Sequence, residues 1–458
     1  MQAVATVVLS RTLESADYGI VSLALIFTRF LATFNDLGIE SAVVQKQDLD
    51  DAGLLTAFWL KASLAVALFV IAVSAAPVGG RVFDNQAAIG VIRVLSLSFL
   101  IAIPAFVPTT LLTRALDYRR LATAQTWSTV ANAVVAVGLA LSGYGYWSLV
   151  LGQLAATAAL VGVLNAMRPR RLAYRFSAAR ARELVRYGGA LFASTLATFV
   201  VFNADNFLIG LVLGASALGY YTLALSWGSM VPVLMWSVVN AVLFPTFSTM
   251  QANRLRIKSA YLRALHYVSV LGVLLNTVLF FVAPEFLVQV LGAGTDKWLP
   301  ALTAFRVLCV YGIIRVVLEP LGSVIMALGK TGVLLRATVV AAVIELALLY
   351  PALLAWGAAG AACVVTLAYL TQYAIYYPFI RRELDIDWRD VLGAVRPAVL
   401  PLLAAVPAFS AYDLLGAENT PLTLVARAAS GALCYVATYV LLTRRTILQD
   451  IRLALGRP

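Results

Sequence analysis

The sequence is 458 residues long, 62% hydrophobic and only 12% charged, with a mean hydropathy of +0.90 and a formal net charge of +12. Soluble proteins are roughly half apolar and about 25% charged, and a water-soluble globule lacks the interior to hide such an excess, so a soluble fold is excluded. Three cysteines, each inside an apolar run, and a single histidine exclude a disulfide framework, a Cys-rich zinc or iron–sulfur site and a His-based metal cluster; no cofactor is expected.

The apolar runs approach the ~20 residues that a hydrocarbon core about 30 Å thick demands of a helix, whereas barrel strands would be short and alternating. The expected class is all-α and integral to the membrane. Met1–Ser10 is apolar but reaches only about 15 Å as a helix, so it reads as a truncated first helix. Thirteen full spans follow, near 19–40, 54–76, 91–112, 122–142, 146–166, 188–213, 219–243, 264–284, 299–326, 332–355, 358–380, 393–415 and 421–443. With the stub they make a 14-helix plan.

Alternate connections carry Lys46; Arg114, Arg119 and Arg120; seven arginines in 168–186; Arg254, Arg256, Lys258 and Arg263; Lys330 and Arg336; four arginines in 381–396; and four in 444–457. Together these are 25 of the 34 basic residues, against Arg11, Arg81 and Lys297 on the opposite side. Basic connections are retained in the cytoplasm, which places the rich side and both termini inward. The net charge is thus a topology signal, with membrane lipid head groups as a secondary partner and no nucleic acid implied.

Gly19-Ile-Val-Ser-Leu-Ala-Leu25 echoes Gly219-Tyr-Tyr-Thr-Leu-Ala-Leu225 at an offset of 200, and Arg93-Val-Leu95 echoes Arg306-Val-Leu308 at an offset of 213. The echoes suggest two parallel six-helix lobes, a recurrent transporter plan. They are an N-terminal lobe at 1–166 and a C-terminal lobe at 188–380, joined by a basic cytoplasmic linker at 167–187. Helices 13 and 14 at 393–443 and a basic cytoplasmic tail at 444–458 complete the chain.

Several segments carry a family resemblance. They are Ser10-Arg-Thr-Leu-Glu-Ser-Ala-Asp-Tyr-Gly19, Asp36-Leu-Gly-Ile-Glu-Ser-Ala-Val-Val-Gln45, Asp205-Asn-Phe-Leu-Ile-Gly210 followed by Leu218-Gly-Tyr-Tyr-Thr-Leu-Ala224, Phe244-Pro-Thr-Phe-Ser248, Lys297-Trp-Leu-Pro300 and Pro320-Leu-Gly-Ser323. In order and spacing the chain resembles polysaccharide-exporting flippases of the Wzx type, in the superfamily that also holds multidrug MATE exporters and lipid II flippases. The resemblance runs from Ser10 to about Gly332. It implies an alternating-access carrier in the cytoplasmic membrane of a bacterium or archaeon. Its implied cargo is an undecaprenyl-diphosphate-linked oligosaccharide, destined for O-antigen, capsule or exopolysaccharide, with a polysaccharide polymerase as a candidate partner.

Ionisable residues inside spans are costly and therefore functional candidates. Arg29, Arg306 and Arg315 could line a cavity between lobes and grip a lipid diphosphate through their planar forks of donors. Arg306 and Arg315 are nine residues apart, about half a turn out of phase, and share a cavity only if the helix bends near Pro320. Arg315 and Glu319 are equally placed to neutralise one another at i,i+4. Asp205, Glu319 and Glu345 are the candidates for coupling to H⁺ or Na⁺, with helix–helix hydrogen bonding or pairing with an arginine as the competing roles. Lys61 and Arg93, nearer span ends, read as snorkelling side chains.

An ion-coupled multidrug antiporter of the same superfamily is the alternative. A membrane glycosyltransferase or polymerase would need acids or histidines in sizeable loops, which the sequence lacks. No nucleotide-binding P-loop occurs, so the chain is expected to be a secondary transporter and not an enzyme.

Overall fold

Residues 2–36, 38–45, 51–167, 176–251, 253–416 and 418–454 are described by the computed structural model. Lys46, Arg168, Arg170, Arg171, Arg175 and Arg457 of the basic set lie outside the described residues. Helices follow one another as α1 (Gln2–Thr12), α2 (Ser15–Asp36), α3 (Ile39–Gln45), α4 (Asp51–Val82), α5 (Gln86–Ala102), α6 (Phe106–Arg114), α7 (Tyr118–Leu141) and α8 (Trp147–Met167). Then come α9 (Ala178–Gly228), α10 (Met230–Thr249), α11 (Arg254–Phe281), α12 (Ala283–Glu285), α13 (Leu302–Ala327), α14 (Thr331–Leu384), α15 (Trp388–Val399), α16 (Leu402–Leu414) and α17 (Pro421–Ala454). Side-chain caps mark several starts: Asn85, Asp117 and Asn253 each accept a backbone N–H of the first turn.

Among the described residues, 11 helical segments are long and apolar enough to cross a bilayer, and the chain is a multi-pass membrane protein. Two helices are broken within their length. As a straight rod, α14 would measure about 81 Å, far beyond the hydrocarbon thickness. It is broken at Gly357 (φ 58°, ψ −143°), a left-handed conformation that only glycine adopts freely. The chain has turned there so tightly that a Cβ at Gly360 would fall 2.1 Å from the Ala352 carbonyl oxygen. Gly214 (φ 83°, ψ −179°) interrupts α9 in the same way. The span expected over 219–243 is itself divided, because α9 ends at Gly228 and α10 begins at Met230.

The chain forms two compact units, one ending at Thr222 and the other starting at Leu223. In the first, α2 crosses the beginning of the helix after Gly214 through two small-residue pairs. A Cβ on Gly19 would lie 1.8 Å from the Ala215 carbonyl oxygen, and one on Gly219 would lie 1.9 Å from that of Ser15. Ser15-x-x-x-Gly19 and Ala215-x-x-x-Gly219 thus interlock reciprocally, the small-xxx-small geometry by which membrane helices approach closely. The sequence echo at an offset of 200 is, locally, this contact. Around it, Val21, Ala24, Val91, Ile92, Leu95 and Val150 form a core among α2, α5 and α8.

In the second unit, Phe247, Tyr261, Leu265, Val324, Ile325, Tyr376 and Ile380 form the main cluster. Basic residues of α11 meet acids near the end of α14: Arg254 pairs with Glu383, and Lys258 lies 2.7 Å from Asp390. Two of the predicted basic connections therefore sit at one end of this unit. The side chain of Gln289 donates to the carbonyl of Asn419, joining two connections predicted for the opposite side.

The crossing at Gly19 and Gly219 predicts that Gly19→Leu or Gly219→Leu, by forcing two backbones apart, lowers stability by about 1–3 kcal/mol or more. Gly138→Ala on α7, where a Cβ meets nothing within 4 Å, leaves stability unchanged or raises it by up to ~1 kcal/mol. Thermal unfolding of the detergent-purified variants reads both.

Candidate functional site

Polar side chains in the first unit converge on one place. On α7, Gln125, Ser128, Thr129 and Asn132 fall at i, i+3, i+4 and i+7, a single stripe along one face of the helix. That stripe lines a cavity of about 410 Å³ together with Thr6 of α1, Tyr18 and Ser22 of α2 and Gln153 of α8, over a floor of leucines, valines and alanines. No charged residue is among its lining. The Ser128 hydroxyl donates to the Ala156 carbonyl at 2.8 Å, and Thr129 donates to the Gln125 carbonyl at 3.0 Å. The stripe was legible as a pattern in the sequence, but a search confined to charged residues passes over it.

Arg29 continues the α2 face of this cavity. Tyr18, Ser22 and Leu25 line it, and Arg29 follows at i+4 from Leu25, about 6 Å further along the axis. It is exposed, and it pairs with no carboxylate among the described residues.

Asp205 is buried, and both its oxygens are occupied. Tyr221 donates to Oδ2 at 2.7 Å, while the Asn206 backbone and side-chain N–H groups donate to Oδ1 at 2.7 and 3.0 Å. The bond to Tyr221 straddles the break at Gly214, so this carboxylate ties together the two arms of α9.

In the second unit Arg306 and Arg315 are not brought together. The Arg306 guanidinium lies over Phe280 of α11 at 5.4 Å and its Nε donates to the Phe280 carbonyl at 3.4 Å. Arg315 faces α14, with its guanidinium 5.7 Å from the Tyr369 ring centroid, and it donates to the Tyr311 hydroxyl at 3.0 Å. The half-turn phase difference set by nine residues persists despite Pro320. Glu319 stands 3.9 Å from Arg315, a loose pair between half-buried groups, and Glu345 is buried midway along the first arm of α14. Arg93 is exposed, whereas Lys61 pairs with Glu40 at 3.2 Å and lies over the Phe106 ring, a buried-side contact in place of simple snorkelling.

A deeply buried ion pair went unnoticed in the sequence. Arg427 on α17 is 2% exposed. Its Nη2 lies 2.6 Å from Asp413 Oδ1 on α16, and Nη1 donates to the Phe281 carbonyl at 2.9 Å. Its Nε lies 3.2 Å from Glu285 Oε1, near enough for ion pairing but out of line for a hydrogen bond. The pairing joins α12, α16 and α17, which is a bracing role. His266 adds a second brace, its ring nitrogens meeting the Ala394 carbonyl at 3.2 Å and the Tyr439 hydroxyl at 3.0 Å.

Comparisons with known proteins agree on family and fold. Residues 8–303 match the family model described as polysaccharide biosynthesis protein. The lipopolysaccharide biosynthesis protein WzxC of Escherichia coli (strain K12) is 24% identical over 416 residues, covering 88% of this chain and 82% of its own. The succinoglycan biosynthesis transport protein ExoT of Rhizobium meliloti (strain 1021) is 29% identical over 462 residues, covering 97% and 90%. Among solved structures, lipid II flippase MurJ in an inward closed conformation gives a TM-score of 0.77 at 14% identity, over 97% of this chain and 98% of that one. An inward-facing multidrug resistance MATE family transporter gives 0.65 at 15% identity, over 84% and 94%. At such identities the structural likeness establishes the fold alone.

Removing Arg427 leaves the carboxylate of Glu285 buried without its cation, a change that costs about 3–5 kcal/mol where it has been measured. Arg427→Leu is therefore expected to lower the melting temperature sharply. Arg427→Leu combined with Glu285→Leu is expected to recover most of the loss, read by thermal unfolding in detergent.

Proposed function

Because the chain belongs to the polysaccharide biosynthesis protein family, we propose that it is a flippase for undecaprenyl-diphosphate-linked oligosaccharide. It carries that lipid from the cytoplasmic to the periplasmic leaflet for the assembly of a surface polysaccharide. The observation that carries the reading is the juxtaposition in the first unit of an exposed arginine, with no carboxylate partner among the described residues, and an uncharged polar cavity on the same face of α2. Arg29 is the proposed contact of the diphosphate, which favours charge-assisted bonds from a guanidinium. In the second unit, Arg306 and Arg315 are further candidate contacts. A multidrug antiporter would instead be expected to present acids to a cationic cargo, and the cavity's lining has none.

The proposed topology is fourteen crossings with a cytoplasmic C-terminus. Counting the short α1 and dividing α9 and α14 at Gly214 and Gly357 supports that number. The contacts of Arg254 and Lys258 with Glu383 and Asp390 support a single, cytoplasmic side for those basic connections.

Coupling is proposed to run through Glu319. A diphosphate arriving at Arg315 competes with the carboxylate 3.9 Å away and releases Glu319 from its cation. Substrate binding and proton uptake are then linked at one guanidinium. Asp205, already saturated with donors, and Glu345 are secondary coupling candidates.

In a strain lacking this protein, the lipid-linked oligosaccharide is expected to accumulate in the cytoplasmic leaflet and to leave it when the gene is restored. Unaltered glycan export in the deletion strain, with changed drug sensitivity, would overturn the flippase reading. Arg29→Ala is expected to slow translocation about 10- to 100-fold, the value of one or two charge-assisted bonds. Glu319→Gln is expected to abolish the response of transport to an imposed pH gradient while sparing lipid binding, measured in proteoliposomes.

A further inference from the structure

The polar stripe of α7 raises a question that the arginines do not answer. An amide inside a bilayer is costly unless it finds a partner. The hydroxyls of Ser128 and Thr129 have theirs in helix carbonyls. The amides of Gln125, Asn132 and Gln153 hydrogen-bond to no described residue, although all three line the same cavity. Each offers two donors and a carbonyl acceptor, so the cavity presents both roles at close quarters without charge.

That combination selects a ligand class. A diphosphate seeks cations, a cationic drug seeks acids, and an acyl chain seeks a wholly apolar wall. Sugar hydroxyls donate and accept at once, and they match a bed of amides. The volume of about 410 Å³ lies within the range of about 300–1,000 Å³ usual for small-molecule sites. Arg29, one turn beyond the lining on α2, stands where a diphosphate would lie with its attached sugar directed toward the amides.

We infer that the first-unit cavity is a glycan-recognition subsite, in which Gln125, Asn132 and Gln153 bind the uncharged sugar hydroxyls of the lipid-linked oligosaccharide while Arg29 holds its diphosphate. The inference rests on the flippase reading and adds specificity to it: the amides distinguish a glycan-bearing lipid from the bare carrier. Lipids with different sugars would be sorted by which hydroxyls meet these three side chains.

The test uses two probes on the full-length, detergent-purified protein. One is the undecaprenyl-diphosphate oligosaccharide isolated from cells lacking this transporter, and the other is undecaprenyl diphosphate without sugar. The double variant Gln125→Leu/Asn132→Leu is expected to weaken Kd for the glycan-bearing lipid about tenfold or more, given two lost hydrogen bonds. Affinity for the bare lipid is expected to stay within twofold, whereas Arg29→Ala weakens both. Equal losses for the two lipids, or no loss for either, would overturn the subsite and leave the flippase reading standing. Failure of the wild-type protein to bind the glycan-bearing lipid would sink both. Should the double variant melt below the assay temperature, Gln153→Leu alone on α8 is read by the same comparison, with about a threefold loss expected for the glycan-bearing lipid only.

Discussion

A polar group inside hydrocarbon has no water to fall back on, and most of this structure can be read as the consequence. Asp205 is buried and takes donors from Tyr221 and Asn206 on both of its oxygens. Arg427, almost wholly buried, is surrounded by Glu285, Asp413 and the Phe281 carbonyl. Arg315 rests on Tyr311 and Tyr369 with Glu319 at the edge of contact. Each arrangement exchanges a large desolvation cost for contacts that tie helical segments together. Against that background the amides of Gln125, Asn132 and Gln153, which hydrogen-bond to no described residue, stand out around one cavity in the first unit.

Helix–helix geometry follows from a second constraint, the absence of a hydrophobic driving force between apolar helices in lipid. Close backbone approach must then come from small residues. The reciprocal contact of Ser15 and Gly19 with Ala215 and Gly219 shows this directly, as neither glycine has room for a Cβ. Gly214 and Gly357 do a different job: with positive φ they let long helices reverse without leaving the membrane-compatible helical state for more than a residue. The same residue type therefore closes the packing in one place and opens the chain in another. Backbone conformation separates the two uses.

Where function is concerned, positions on a shared helix face matter more than sequence proximity. Tyr18, Ser22, Leu25 and Arg29 follow one face of α2, so the cation and the neutral cavity belong to a continuous surface. Arg306 and Arg315 lie on the same helix yet address α11 and α14 respectively. Their separation by nine residues placed them on opposite sides, and Pro320, which follows both, does not bring them back together.

Composition and run length were enough to determine an all-helical membrane protein, because twenty-residue apolar stretches have no other stable solution in lipid. The motifs around Gly19, Asp205 and Gly219 were enough for the family, and they coincide with contacts that the structure cannot change: two glycine crossings and a carboxylate clamp. Tertiary structure alone decided which polar residues were satisfied. Partners such as Tyr221, hydrogen-bonded to Asp205, or Glu285, ion-paired with Arg427, lie 16 or 142 residues away, and no local pattern encodes that distance. Periodicity could show that Gln125, Ser128, Thr129 and Asn132 share a face. Only the packing of α1, α2, α5 and α8 around that face turned it into a cavity, because a void exists where several helices fail to meet and belongs to none of their sequences.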